Sequence, residues 1–141
     1  MKLVDTNVLV YAVNADAPQH RLAHDWLRRA LADPAGLAMP WMSLLGFLRI
    51  STRGGLLPRP LAPADALGLI NRWLHMPHTR VLEPTERHAA LLGRLLLGAG
   101  MAGNLVNDAH LAALALEHGA TVVSFDRDFA RFAGVPFELL S

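Results

Sequence analysis

Apolar residues along this chain fall into two kinds of run. Short ones at positions 2–5, 37–39, 79–82, 121–125 and 137–140 read as strands. The run at 121–125 is the strongest, β-branched and almost wholly apolar. Longer stretches carry apolar residues three and four apart and read as helices. Over 18–31, Leu22, Ala23, Trp26, Leu27, Ala30 and Leu31 share one side, while Arg21, Asp25, Arg28 and Arg29 share the other. A helix over 43–51 is stopped by Gly54-Gly55, and one over 64–74 turns Leu67, Ile70, Trp73 and Leu74 inward. Thr85 is placed to cap a helix reaching Leu97. Gly98, Gly100 and Gly103 form a flexible connection to a helix over 105–118, with Gly119 where a left-handed residue is wanted.

Short apolar strands alternating with helices imply an α/β fold, a parallel sheet covered on both faces. In such folds ligands bind beyond the carboxyl ends of the strands, which is where chemistry is to be sought. With 141 residues and no repeat or linker, a single domain spanning 1–141 is expected.

Composition narrows the function. Hydrophobic residues make up 52% and charged residues 18%, which excludes a disordered chain. The absence of cysteine excludes a thiolate metal site and a cysteine nucleophile. The first run carries Asp5, so it is no signal peptide, and no apolar stretch is long enough to span a membrane. A cytoplasmic location is the expectation. The net charge of +1 gives little long-range pull on nucleic acid, but nearly all the basic residues are Arg, whose planar fork suits phosphate.

Three aspartates stand where chemistry is expected. Asp5 ends the first strand and Asp126 follows the run at 121–125. Asp5 alone is equally explained as a helix cap, and Asp126 alone is better explained as a cap or turn acid. Asp108 is the sharper case. It lies off the polar stripe of Asn107, His110 and Glu117, and its own stripe continues through Leu111, Ala112 and Ala115. If the three meet, their mutual repulsion must be relieved by protons or cations. Oxygen-only ligands select a hard cation, Mg²⁺ or Mn²⁺, and the chemistry implied is metal-dependent phosphodiester hydrolysis.

The segments Met1–Tyr11, Leu105–Ala115 and Thr121–Phe129, with Phe47-Leu48-Arg49-Ile50-Ser51-Thr52, together resemble the PIN-domain family, and within it the VapC toxins of bacterial toxin–antitoxin pairs. The resemblance runs over essentially the whole chain. It implies a three-layer α/β fold with a parallel sheet in the order 3-2-1-4-5. It implies a Mg²⁺- or Mn²⁺-dependent endoribonuclease that cuts tRNA or rRNA and halts translation, a homodimer restrained by a VapB-like antitoxin. By the same matching Asp5, Asp108 and Asp126 are catalytic metal-site carboxylates, Asp128 is a fourth ligand, and Thr6, Asn7 and Ser124 are polar groups supporting them. One departure stands out. The family usually carries Glu on the helix after the second strand, where this chain has Gly46, and no Asp or Glu occurs between Asp33 and Asp65. One firm metal position and a weaker second are therefore expected. A binding module that grips RNA or antitoxin without efficient cleavage is the alternative. A haloacid-dehalogenase-like phosphatase would need an acid at Asn7.

Arg49 and Arg53, at the end of the Phe-Leu-Arg helix, are candidates for binding RNA phosphate. Arg127 is placed to pair with Asp126 or Asp128. His20 and His24, one helical turn apart, are read as solvent-facing. Trp26, Trp73, Trp41 and Phe47 are read as packing residues, the last two in the core or a dimer seam.

Overall fold

The computed structural model describes residues 1–100 and 103–141. Positions 101 and 102, within the glycine-rich connection, lie outside the described residues. Five strands, β1 (Lys2–Val4), β2 (Leu37–Ala38), β3 (Thr79–Arg80), β4 (Thr121–Ser124) and β5 (Phe137–Leu139), form one sheet in the order β3-β2-β1-β4-β5. Every neighbouring pair is parallel. The helices are α1 (Thr6–Val13), α2 (His20–Ala32), α3 (Trp41–Thr52), α4 (Pro63–Leu74), α5 (His88–Ala99) and α6 (Val106–His118).

Period-two alternation divides the core. Val4 and Val123 point to one face, where they join Val8, Leu9, Trp26, Leu44, Phe47 and Trp73 from α1 to α4. Leu3 and Val122 point to the other and pack with Leu91, Leu95, Leu111, Leu114 and Phe129. The result is the three-layer arrangement expected. Phe47 is fully buried against Trp73, rings edge to face at 5.0 Å.

Two helical expectations need correction. Leu67 does not turn inward: it is 52% exposed, and Ala66 occupies the buried position instead. Trp41 is 46% exposed at the start of α3, so it does not pack in the core of this chain. Local preference at Val8, Val10 and Val13 favours strand, against the helix that a capping Asp5 would open. Burial of Val8, Leu9, Val10 and Ala12 against the sheet overrides that preference.

The α5–α6 pair is tied by a polar chain. The Glu117 carboxylate accepts from the Thr85 amide at 2.9 Å and the Thr85 hydroxyl at 2.5 Å. His88 Nδ1 lies 2.6 Å from Glu117 Oε2, and its Nε2 lies 2.9 Å from His110 Nδ1. Thr85 also accepts from the Arg87 amide at 3.2 Å, but it does not cap the helix as expected: the N-cap residue of α5 is Arg87, and no side-chain capping bond is made there.

Candidate metal centre

Register brings β1 and β4 out of the sheet at one level. Val4 pairs with Val123, and the Asp5 amide extends the ladder to the Val123 carbonyl at 3.0 Å. Asp5 therefore emerges beside Ser124. Its Oδ1 accepts from the Thr6 amide at 2.7 Å, capping α1, and its Oδ2 accepts from the Ser124 hydroxyl at 2.7 Å. The capping role and the strand-end placement thus coexist in one carboxylate, which keeps a free lone pair on each oxygen. Asp5 is 8% exposed. Burial raises its pKa most, the hydrogen bonds from Ser124 and Thr6 oppose that, and the Asp126 charge adds to the rise.

Ser124 is the hub of this end of the sheet. Its oxygen accepts from Asn7 Nδ2 at 3.1 Å and from the Asp126 amide at 2.9 Å, while its proton goes to Asp5. Asn7 Oδ1 accepts from the Phe125 amide at 3.2 Å, so the loop after β4 is fastened to α1. Asp126 in turn accepts from the Asp128 amide at 2.9 Å and opens a short 3₁₀ helix, Arg127–Arg131. Asp108 comes from the first turn of α6, with Leu111, Ala112 and Ala115 buried behind it.

One carboxylate oxygen each from Asp108, Asp126 and Asp128 lies within 4.8 Å of the others. Asp5 is outside that tight group, its oxygens held towards Ser124 and Thr6, but its charge is felt at Asp108. Burial and then the charges of Asp5, Asp126 and Asp128 push the Asp108 pKa from 3.8 up to about 7. An acid so displaced reports a site with too little compensating positive charge. Arg131 Nε stands 3.7 Å from Asp128 Oδ1 across i, i+3. Arg131, and not Arg127, makes the pairing, because residues three apart on a helical turn face each other whereas adjacent ones do not. The sequence signal was that spacing in Asp-Phe-Ala-Arg.

The supporting residues divide. Asn7 and Ser124 touch the acids or the segments carrying them. Thr6 contributes only its amide: its hydroxyl donates to the Ser43 carbonyl at 3.2 Å. That orientation bears on Gly46. A β-carbon at Gly46 would stand 2.5 Å from Thr6 Oγ1 and 2.9 Å from its methyl, so Thr6 fills the place where a side chain would begin. Arg49 and Arg53 are exposed at the end of α3, and neither side chain has an ion-pair partner among the described residues.

The profile of the PIN domain matches residues 2–135. The chain belongs to the PIN domain family. Within it the chain is 47% identical to Ribonuclease VapC37 of Mycobacterium tuberculosis over 138 residues, covering 98% of this chain and 96% of that protein. It is 40% identical to Ribonuclease VapC25 of the same organism over 135 residues, covering 96% and 95%. Among solved structures, M. tuberculosis VapC20, described as a sarcin-ricin loop cleaving toxin, shares this PIN fold with a TM-score of 0.71 at 18% identity over 96% of both chains. VapBC2 of Rickettsia felis, solved on a DNA fragment from its promoter, matches with a TM-score of 0.69 at 18% identity over 99% and 98%. This PIN domain is thus of the VapC kind in sequence and in fold, and the 3-2-1-4-5 sheet order is the expected one.

The residues present fit a divalent cation. The donor set is carboxylate oxygen only, the three oxygens lie within 4.8 Å of one another, and burial with the neighbouring negative charges raises the Asp108 pKa to about 7, a crowding that a cation would relieve.

Proposed function

We propose that this PIN domain is a divalent-metal-dependent endoribonuclease, the toxin of a VapBC-like pair, that hydrolyses RNA of the tRNA or rRNA class and thereby inhibits translation. The observation that carries the reading is the convergence of Asp108, Asp126 and Asp128, with Asp5 buried alongside. The relatives named as ribonucleases support it. Asp108, Asp126 and Asp128 would hold Mg²⁺, with Mn²⁺ able to substitute, and Asp5 would add the fourth negative charge from the sheet side. When bound, the cation supplies Lewis-acid stabilisation of the phosphodiester and activation of water.

The chain's own residues do the rest. Ser124 fixes Asp5 and the Asp126 amide through one hydroxyl, so two acids are set before substrate arrives. Asn7 anchors the loop that carries Asp126 and Asp128. Arg49 and Arg53 supply uncompensated positive charge for RNA phosphate. The assigned partners are RNA, a VapB-like antitoxin and a second copy of the chain.

Calorimetric titration with Mg²⁺ and Mn²⁺, followed by cleavage of total RNA, tests the reading. Asp5→Asn or Asp126→Asn should abolish metal-dependent cleavage and growth inhibition together; cleavage that survives in both defeats the mechanism. The Gly46–Thr6 contact favours a second reading, a weakly catalytic RNA- or antitoxin-binding module, because α3 offers no carboxylate there. Cation binding without cleavage of any RNA would select it.

A further inference from the structure

Beside the acids lies a cavity of about 360 Å³ that the proposed chemistry does not use. Asp5, Thr6 and Asn7 form one end; Val10, Tyr11, Ile50, Leu56 and Leu57 line the remainder. Its volume is near the lower end of small-molecule sites, about 300–1,000 Å³. Tyr11 is one helical turn beyond Asn7, so the residue that anchors the acid-bearing loop and the ring that walls the cavity share a face of α1. Its ring meets Phe125 edge-on, centroids 5.1 Å apart and planes at 88°. That contact fixes the ring from the side of the acids. The Tyr11 hydroxyl has no hydrogen-bond partner among the described residues, which leaves it available to a ligand.

Leu56, in the lining of the cavity, is half exposed. The segment carrying it begins at Gly54-Gly55, where Gly55 has φ +89°, and is held beyond by the Leu61 amide on the Ser51 carbonyl at 2.8 Å and by the two-pronged Arg59–Asp16 pair at 2.9 and 3.0 Å. A half-exposed leucine thus lines the same pocket as Asp5.

We infer that this cavity receives a nucleobase of the substrate, the one next to the phosphate that is cut, flanked by the Tyr11 ring and Leu56 with its edge read by the Tyr11 hydroxyl. The inference rests on the nuclease reading and adds its specificity element. Unstacked RNA bases are characteristically held on aromatic faces and read along their edges. A cavity that reaches Asp5, next to the candidate centre, and is otherwise lined mainly by apolar side chains suits one nucleotide, phosphate towards the centre and base against the apolar lining.

The test compares binding of nucleoside 5′-monophosphates with that of ribose 5-phosphate, which lacks the base, in the presence of Mn²⁺. Calorimetry gives the affinities. The ring signals of Tyr11, the only tyrosine, report the contact by NMR. The wild-type protein should bind at least one nucleotide about tenfold or more tighter than ribose phosphate. Leu56→Ala, an exposed change that leaves the core intact, and Tyr11→Ala should collapse that ratio towards one, while Tyr11→Phe should change which base is preferred. Equal affinity for nucleotide and ribose phosphate in the wild type, or a ratio that all three variants leave unchanged, overturns the inference. So does a loss confined to antitoxin binding. A ratio that behaves as expected in a protein that cuts no RNA sustains the base site and rejects the nuclease reading.

Discussion

Replacing Asp108 by Asn should stabilise the metal-free protein at pH 8. The Asp108 carboxyl is raised from 3.8 to about 7 by burial and by Asp5, Asp126 and Asp128. The folded state therefore binds a proton more tightly than the unfolded state, and stability falls as the pH rises between those two values. Above about 7 the loss is complete. A displacement of about three pKa units corresponds to about 4 kcal/mol at most. Asp108 is only partly buried, so solvent screening reduces this, and about 1–2 kcal/mol is the expected gain for Asp108→Asn. The opposing loss is the favourable interaction of an acid with the α6 N-terminus, about 0.3–1 kcal/mol, which is smaller. For a chain of this length the net, up to about 1.7 kcal/mol, corresponds to a rise in Tm of up to about 6 °C. Thermal unfolding in chelator at pH 8 measures it, and the gap should narrow towards zero as the pH is lowered to about 4. Adding Mn²⁺ should reverse the order, since the wild type gains binding energy that the variant has lost. An Asp108→Asn protein that is less stable than wild type at pH 8 in chelator would refute the crowded-charge account.

Cation affinity should increase from pH 6 to pH 8, because the proton on Asp108 competes with the ion; calorimetry in buffers of different ionisation heat should also detect proton release. Ser124→Ala leaves Asp5 Oδ2 without its donor and Asn7 Nδ2 and the Asp126 amide without their acceptor, so a loss of about 1–3 kcal/mol in urea unfolding is expected, together with weaker Mn²⁺ binding. Gly46→Ala should destabilise by about 1–3 kcal/mol despite the better helix propensity of Ala, and Thr6→Ala in the same chain should recover most of it; additive losses in this double-mutant cycle would mean the contact is not the cause. Arg49→Ala with Arg53→Ala should lower the slope of log affinity against log salt for single-stranded RNA by about 1.4.

Much of the fold was legible because its strands are short and its helices punctuated. The apolar run at 121–125 and the glycine after residue 118 mark β4 and the end of α6 almost to the residue. Helix α1 was obscured by its valines, since local preference there says strand and the packed face says helix. The acids were legible as strand-end and off-stripe carboxylates, which is a property of position along the chain. What sequence could not supply was direction. Asp5 turns to Ser124 and the α1 amide, Asp128 joins the tight group, and Thr6 faces α3 instead of the acids. The polar tie through Thr85, Glu117, His88 and His110 was invisible for the same reason, as four unremarkable positions meet only when α5 packs on α6.

The closeness of Gly46 to Thr6 imposes an order on change. A glutamate at position 46 is not accommodated by that substitution alone, because its first carbon would stand 2.5 Å from Thr6 Oγ1 and Thr6 would have to shift. Position 6 must shrink first, and that step by itself yields only a void between two helices. An engineer wishing to place an acid on α3 at this point therefore has to change both positions together.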